Sequence, residues 1–266
     1  MVTVYPEAEF DPLGPQTAKR MSRHDIVCLH TMDGSFTNTN TMFHKNGYKG
    51  TESHFGLAGD GRLKQWQDLE FRADANNKGN HRCISIETAD RGEDFPKWTG
   101  GDVPAWTDAQ IEVIVRLLRW LCDTFDIPKQ LVEDSRHDRR GIAYHRLGVP
   151  HSTGKFDAPG GPWRKPGCEL WSTGPKACPG DRRIAQLKEI VIPRVQAAGE
   201  EEDMPLSKDD LKQIDTLIRA ALNEGTGNGQ KDWKATNKRT LAIVERLVNE
   251  VTELKAQVKK LEQKVT

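Results

Sequence analysis

His30 closes the apolar segment Val27-Cys28-Leu29-His30-Thr31, His145 lies in Gly141-Ile142-Ala143-Tyr144-His145-Arg146, and Cys178 lies in Lys176-Ala177-Cys178-Pro179-Gly180. Two imidazoles and a thiolate are a competent zinc set. They leave a fourth position open for water, whose pKa zinc lowers toward neutrality, which suits hydrolysis better than a structural role. The three residues are far apart along the chain, unlike the tight ligand pairs of zinc fingers, so spacing alone does not make them converge. For Cys178 the competing reading is a buried packing thiol. Lys176 nearby and a helix start after Pro179 favour a thiolate instead. His24 and His151 compete with His30 and His145.

The elements that must position these residues are legible in part. Asp25 to His30 reads as a short buried strand, and Cys83 to Thr88 as another. Ser53 to Gln65 reads as a hairpin whose turn is Gly59-Asp60-Gly61. Thr107 and Gln110 form a capping box for a long helix with Ile111, Ile114, Val115, Leu117, Leu118, Leu121, Cys122 and Phe125 on its buried face, ending before Pro128. A last helix follows Pro179, from about Asp181 to the region of Pro193. Strands interleaved with helices predict an α/β domain on a mixed central sheet flanked by helices.

Composition narrows the function classes. Lys+Arg and Asp+Glu are equal at 39 each, so no global charge draws the chain to nucleic acid. No apolar run approaches the roughly 18 residues of a membrane-spanning helix. The first 25 residues show no charged start followed by an apolar stretch, so residence in the cytoplasm on synthesis is expected. Five cysteines, odd in number and irregularly spaced, argue for thiols or ligands over a disulfide framework. Cys28, Cys83, Cys122 and Cys168 read as packing or incidental thiols.

Aromatic residues thin out after Trp171, which places the globular domain at residues 1–198, with a core of about 24–195, and an acidic linker at 199–207. Residues 208–266 read as helical. Val244, Leu247, Val251, Leu254, Val258, Leu261 and Val265 alternate by four and three, a coiled-coil seam over 244–265 with Val at a and Leu at d. Such a seam favours a homo-oligomer, a parallel dimer first. Packing of the same stripe against the preceding helix is the alternative.

Taken in order, His30, Ser53-His54-Phe55 with Gly59-Asp60-Gly61, Asn80 through Ser85-Ile86-Glu87, Tyr144-His145-Arg146 and Lys176-Ala177-Cys178-Pro179-Gly180 make the chain resemble the type 2 N-acetylmuramoyl-L-alanine amidases. That family includes amidase-type phage endolysins and peptidoglycan recognition proteins. The resemblance runs over about residues 24–195. It implies that His30, His145 and Cys178 bind Zn2+, that Glu87 shuttles a proton between water and the leaving nitrogen, and that Lys176 steadies the oxyanion. It departs from the phage enzymes at Ser53, where they carry a tyrosine near the metal; Tyr144 is a possible spatial substitute. His54 either faces the site or packs in the hairpin. Trp163 and Trp171, on a long Gly/Pro-rich loop, either stack on sugars or anchor that loop.

The function expected from this resemblance is zinc-dependent cleavage of the bond between the lactyl group of N-acetylmuramic acid and L-alanine in bacterial peptidoglycan. The expected setting is an endolysin of a phage infecting actinobacteria, since Ser85-Ile86-Glu87-Thr88-Ala89 and Tyr144-His145-Arg146-Leu147 resemble such enzymes. It would accumulate in the host cytoplasm and act on the wall after membrane breach. A cytoplasmic amidase that recycles muropeptides, and a non-catalytic peptidoglycan-binding module, are the alternatives. The helical tail would oligomerise, bind wall, or both.

Overall fold

The computed structural model describes residues 2–92, 94–95, 103–150, 166–174 and 176–197. Residues 199–266, with the linker and the seam at 244–265, lie outside them, as do His151 and Trp163. Among the described residues six strands form one sheet: β1 (Glu9–Phe10), β2 (Ile26–Thr31), β3 (Phe55–Leu57), β4 (Leu63–Gln65), β5 (Cys83–Thr88) and β6 (Gly141–Tyr144), in the order β1-β4-β3-β5-β2-β6. Strands β3, β5, β2 and β6 run parallel, whereas β4 is antiparallel to β3 as the expected hairpin. The sheet is therefore mixed.

Side chains alternate between the two faces of a strand. On one face Val27, Leu29, Phe55, Leu57, Ile84, Ile86 and Ile142 share a core with α2 (Asp108–Thr124). On the other, Ile26, Cys28, Cys83 and Ala143 pack with Leu147 and Trp171. His30 and Glu87 are on that second face, in line with Cys28 and Cys83. The helix layer thus supports the sheet from behind while the polar residues face away from it.

Helix α2 begins where the sequence places it. Thr107 Oγ1 accepts the Gln110 N–H at 3.1 Å, and Gln110 Oε1 accepts the Thr107 N–H at 3.2 Å, which satisfies two of the end donors. Its buried Ile114, Leu117, Leu118 and Leu121 are fully covered, each contributing about 1.5–3 kcal/mol of apolar burial. Phe125 instead caps the C-terminus, half-buried and stacked on His24.

The final helical run continues beyond the expected end near Pro193. It comprises α3 (Asp181–Gln186), a π turn over Leu187–Val191 and α4 (Ile192–Gln196). Pro193 has no N–H for the carbonyl four residues back, and the wider turn ahead of it absorbs that loss. A helix that the sequence did not indicate, α1 (Phe36–Asn46), is capped by Ser35 Oγ on the Asn38 N–H and buries Phe36 and Phe43. No helix of the described residues is long and apolar enough to cross a membrane.

Candidate metal centre

Parallel strands bring the polar residues to one edge of the sheet. His30 and Glu87 occupy paired positions near the carboxyl ends of β2 and β5, and His145 follows β6 directly. That edge is where open α/β sheets bind ligands. Cys178 enters from the segment ahead of α3, and its Sγ accepts the Thr31 N–H at 3.2 Å. Gly180, at φ +100°, makes the turn into α3; a Cβ there would stand 2.6 Å from Cβ of Val103.

One ligand atom from each of His30, His145 and Cys178 lies within 4.8 Å of the others. The two imidazole rings are 4.3 Å apart, centroid to centroid, and both are buried. Nε2 of His30 meets Asn76 Oδ1 at 3.2 Å, and Nε2 of His145 meets the Trp171 carbonyl at 3.0 Å. With acceptors facing both Nε2 atoms, those nitrogens donate, and both rings keep the Nδ1 lone pair for a ligand. Glu87 Oε1 lies 3.7 Å from His30 Nδ1, and its buried Oε2 has no hydrogen-bond partner.

Electrostatics set the protonation states. Burial first, then the neighbouring His145 charge, holds His30 well below the usual imidazole value; burial takes His145 down to about 4. Both rings are neutral at ordinary pH, the state that ligates a metal. Burial, reinforced by Glu87, pushes the Cys178 thiol up to about 12 despite the Thr31 N–H, Lys176 and Arg183. The helix start does not by itself make the thiolate expected from the sequence; a divalent cation would supply the missing charge. Burial also raises the Glu87 carboxyl to about 8, with Lys176 opposing.

These residues fit a zinc ion. Two neutral imidazoles with free Nδ1 atoms, a thiol that ionises on a metal, and an orphaned buried carboxyl oxygen beside them match a three-ligand site of two nitrogens and one sulfur with an adjacent proton acceptor.

The remaining residues singled out in the sequence fall in different places. Lys176 is exposed, and its charge is felt by His30, Glu87, His145 and Cys178 alike. His54 is fully buried with both ring nitrogens taken, Nε2 by the Phe71 carbonyl and Nδ1 by the Ser85 N–H, so it packs in the hairpin instead of facing a substrate. Ser53 is likewise fully buried. Tyr144 is half-buried in register with Leu29 and packs against both the helix-side core and the cluster of Cys28, Cys83 and Trp171. Trp171 is buried against Cys28, Cys83 and Leu147, which is the anchoring alternative; it serves the site through its carbonyl. His24 is turned to the Leu69 carbonyl.

Two residues that the sequence did not flag hold the site together. Buried Arg183 of α3 donates to Thr31 Oγ1, the Thr88 hydroxyl and carbonyl, and the Pro104 and Ala89 carbonyls, tying the Cys178 segment to the ends of β2 and β5. Asn76 sits among His30, Ser85 and Cys28. An arginine on an amphipathic helix and an asparagine in a loop carry no sequence signal that sets them apart.

A family model described as Amidase_2, N-acetylmuramoyl-L-alanine amidase, matches residues 20–181. No curated protein matches the chain. Among solved structures, the chain is similar to the N-acetylmuramoyl-L-alanine amidase LysC from Clostridium intestinale URNW, at 12% identity over 69% of this chain and 97% of that one, with a TM-score of 0.42. It is similar to the Staphylococcus aureus hydrolase AmiA at 13% identity over 57% and 74%, with a TM-score of 0.43. It is also similar to Drosophila PGRP-LB at 14% identity over 66% and 86%, with a TM-score of 0.42.

Proposed function

The chain belongs to the N-acetylmuramoyl-L-alanine amidase family Amidase_2, and on that premise we propose that it is a zinc-dependent amidase that cleaves the bond between the lactyl group of N-acetylmuramic acid and L-alanine of peptidoglycan. The observation that carries the reading is the convergence of His30, His145 and Cys178 beside the orphaned Glu87 Oε2. His30, His145 and Cys178 would hold the metal. Zinc, when bound, polarises a carbonyl and lowers the pKa of water toward neutrality.

The chain's own groups do the rest. Glu87, whose carboxyl a bound cation would bring down from about 8 to the ionised form, accepts as carboxylate the proton of the attacking water and returns it to the amide nitrogen as the C–N bond breaks. Lys176 offers an exposed positive charge to the carbonyl oxygen as negative charge develops there. His30 and His145 remain neutral and donate from Nε2, which holds their rings still while this happens.

The finer setting within this proposal is a phage endolysin that accumulates in the host cytoplasm and reaches the wall after the membrane is breached. Its support is the resemblance of Ser85-Ile86-Glu87-Thr88-Ala89 and Tyr144-His145-Arg146-Leu147 to actinobacterial phage enzymes. Self-association through 244–265 would raise avidity for an extended wall.

Mass spectrometry of products from purified peptidoglycan and from soluble muropeptides tests the reading. Stem peptides with a free L-alanine amine should appear from intact wall, vanish on chelation and return with zinc. Cleavage of fragments alone indicates a recycling amidase, and binding without cleavage at restored zinc indicates a recognition module.

A further inference from the structure

We propose that Asn76 is a positioning residue for the metal centre, fixing the ring orientation and tautomer of His30; this rests on the zinc reading above. Asn76 is fully buried between β4 and β5, just ahead of the short 3-10 turn Asn77–Gly79. Its side-chain amide is shared among three neighbours on the site face of the sheet. Oδ1 accepts from His30 Nε2 at 3.2 Å and from the Ser85 hydroxyl at 2.9 Å, and Nδ2 donates to Cys28 Sγ at 3.2 Å.

Strand register explains why the three converge. Cys28 and Ser85 are paired across β2 and β5, one alternation behind the paired His30 and Glu87. An amide placed over Cys28 and Ser85 reaches forward to the imidazole. The thiol receives the amide's N–H and the Ser85 hydroxyl donates to its oxygen, so the oxygen is the end presented to His30. His30 Nε2 must then carry the proton, and Nδ1, on the Glu87 side, keeps its lone pair. Main-chain anchoring holds the amide in place: Asn80 Oδ1 accepts the Asn76 N–H at 2.5 Å, and Asn80 Nδ2 donates to Asp74 Oδ1 at 2.9 Å.

His145 receives the same service from the Trp171 backbone carbonyl. The two imidazoles are thus oriented by equivalent acceptors, but only the one at His30 comes from a side chain and can be replaced. It also gives buried Ser85 and Cys28 a role that neither has in the chemistry itself.

Zinc affinity of the full chain, read by competition with a chromogenic chelator, tests this with Asn76→Leu and Asn76→Asp. Removing the acceptor in Asn76→Leu should weaken zinc binding by about 10–100-fold. Asn76→Asp keeps an acceptor toward Nε2 and should restore affinity to within about threefold of the unaltered protein. Long-range 1H–15N spectra of the zinc-loaded, histidine-labelled wild-type protein give a readout that needs no variant: His30 should carry its proton on Nε2. Wild-type affinity in a folded Asn76→Leu, or a proton on His30 Nδ1, overturns the role of Asn76 while leaving the zinc centre standing. Failure of the wild-type protein to bind zinc overturns the metal reading itself, and this role with it.

Discussion

His30 and Glu87 face each other across the parallel β2–β5 register, with His30 Nδ1 3.7 Å from Glu87 Oε1. One residue is placed to hold a metal and the other to move a proton beside it, and a single strand pairing sets their separation. Glu87→Gln keeps the shape and removes the proton acceptor. We expect amide hydrolysis to fall by about 100–10,000-fold with zinc affinity nearly unchanged, read by kcat and by chelator competition. A variant that keeps full activity would remove Glu87 from the chemistry.

Zinc binding should release a proton from Cys178. Its thiol, raised to about 12, is protonated at neutral pH, while His145, at about 4, and His30, lower than usual, are already neutral. Glu87, at about 8, is a second proton source beside the metal, so calorimetry in buffers of different ionisation enthalpy should show about one proton released per zinc in Glu87→Gln and between one and two in the wild-type protein, with affinity rising at least tenfold per pH unit through neutrality. Release of no proton would mean that the thiol is not a ligand.

Glu52 makes stability depend on pH from outside the metal centre. It is buried ahead of β3, with Oε1 on the Asp74 N–H at 3.2 Å and Oε2 unpartnered, and burial followed by the Asp74 charge raises its carboxyl from 4.5 to about 8. Because the folded value is the higher one, its stabilising contribution is complete below 4.5 and is lost as pH rises through about 8. Glu52→Gln should therefore melt above the wild-type protein at pH 8, by on the order of 3 kcal/mol, and match it near pH 4.5. Equal pH dependence in the two proteins would show that Glu52 is not held protonated.

Arg183 is expected to matter for the site without touching substrate. Arg183→Met leaves the Pro104, Thr88 and Ala89 carbonyls without their shared donor and should destabilise the fold by about 3 kcal/mol. Zinc affinity should fall with it, because the Cys178 segment loses its tie to β2. Arg183→Lys should not restore either property, since an ammonium lacks the planar fork. Chemical denaturation with parallel zinc titration checks both.

Much of the scaffold was legible because pattern and position agree. The apolar run at Ile26–Leu29, the CISIET segment and the Thr107–Gln110 capping box each state their element directly. Helix α1 was not, because Thr37, Asn38, Thr39, Asn40 and Thr41 are weak helix formers; its hold comes from Phe36 and Phe43 against Trp66, a contact far along the chain. Strand β6 is four residues long and opens on Gly141, too short to show a period.

At the site, motif order singled out His30, His145, Glu87 and Cys178, while what brings them together is the parallel register, invisible in spacing. Burial divided the rest. The sequence left Trp171 and His54 open between site and packing, and both lie inside the fold; Asn76, one of three asparagines in NNKGN, gains its place only from the strands beneath it.

The most direct measurement is digestion of purified peptidoglycan by zinc-loaded wild-type protein and zinc-loaded Glu87→Gln, with mass spectrometric counting of new L-alanine amino termini. The wild-type protein should release stem peptides bearing that terminus, lose the activity on chelation and regain it with zinc, while Glu87→Gln releases almost none. No new L-alanine terminus from the zinc-restored wild-type protein, or equal release by the variant, would contradict a zinc amidase built on His30, His145, Cys178 and Glu87.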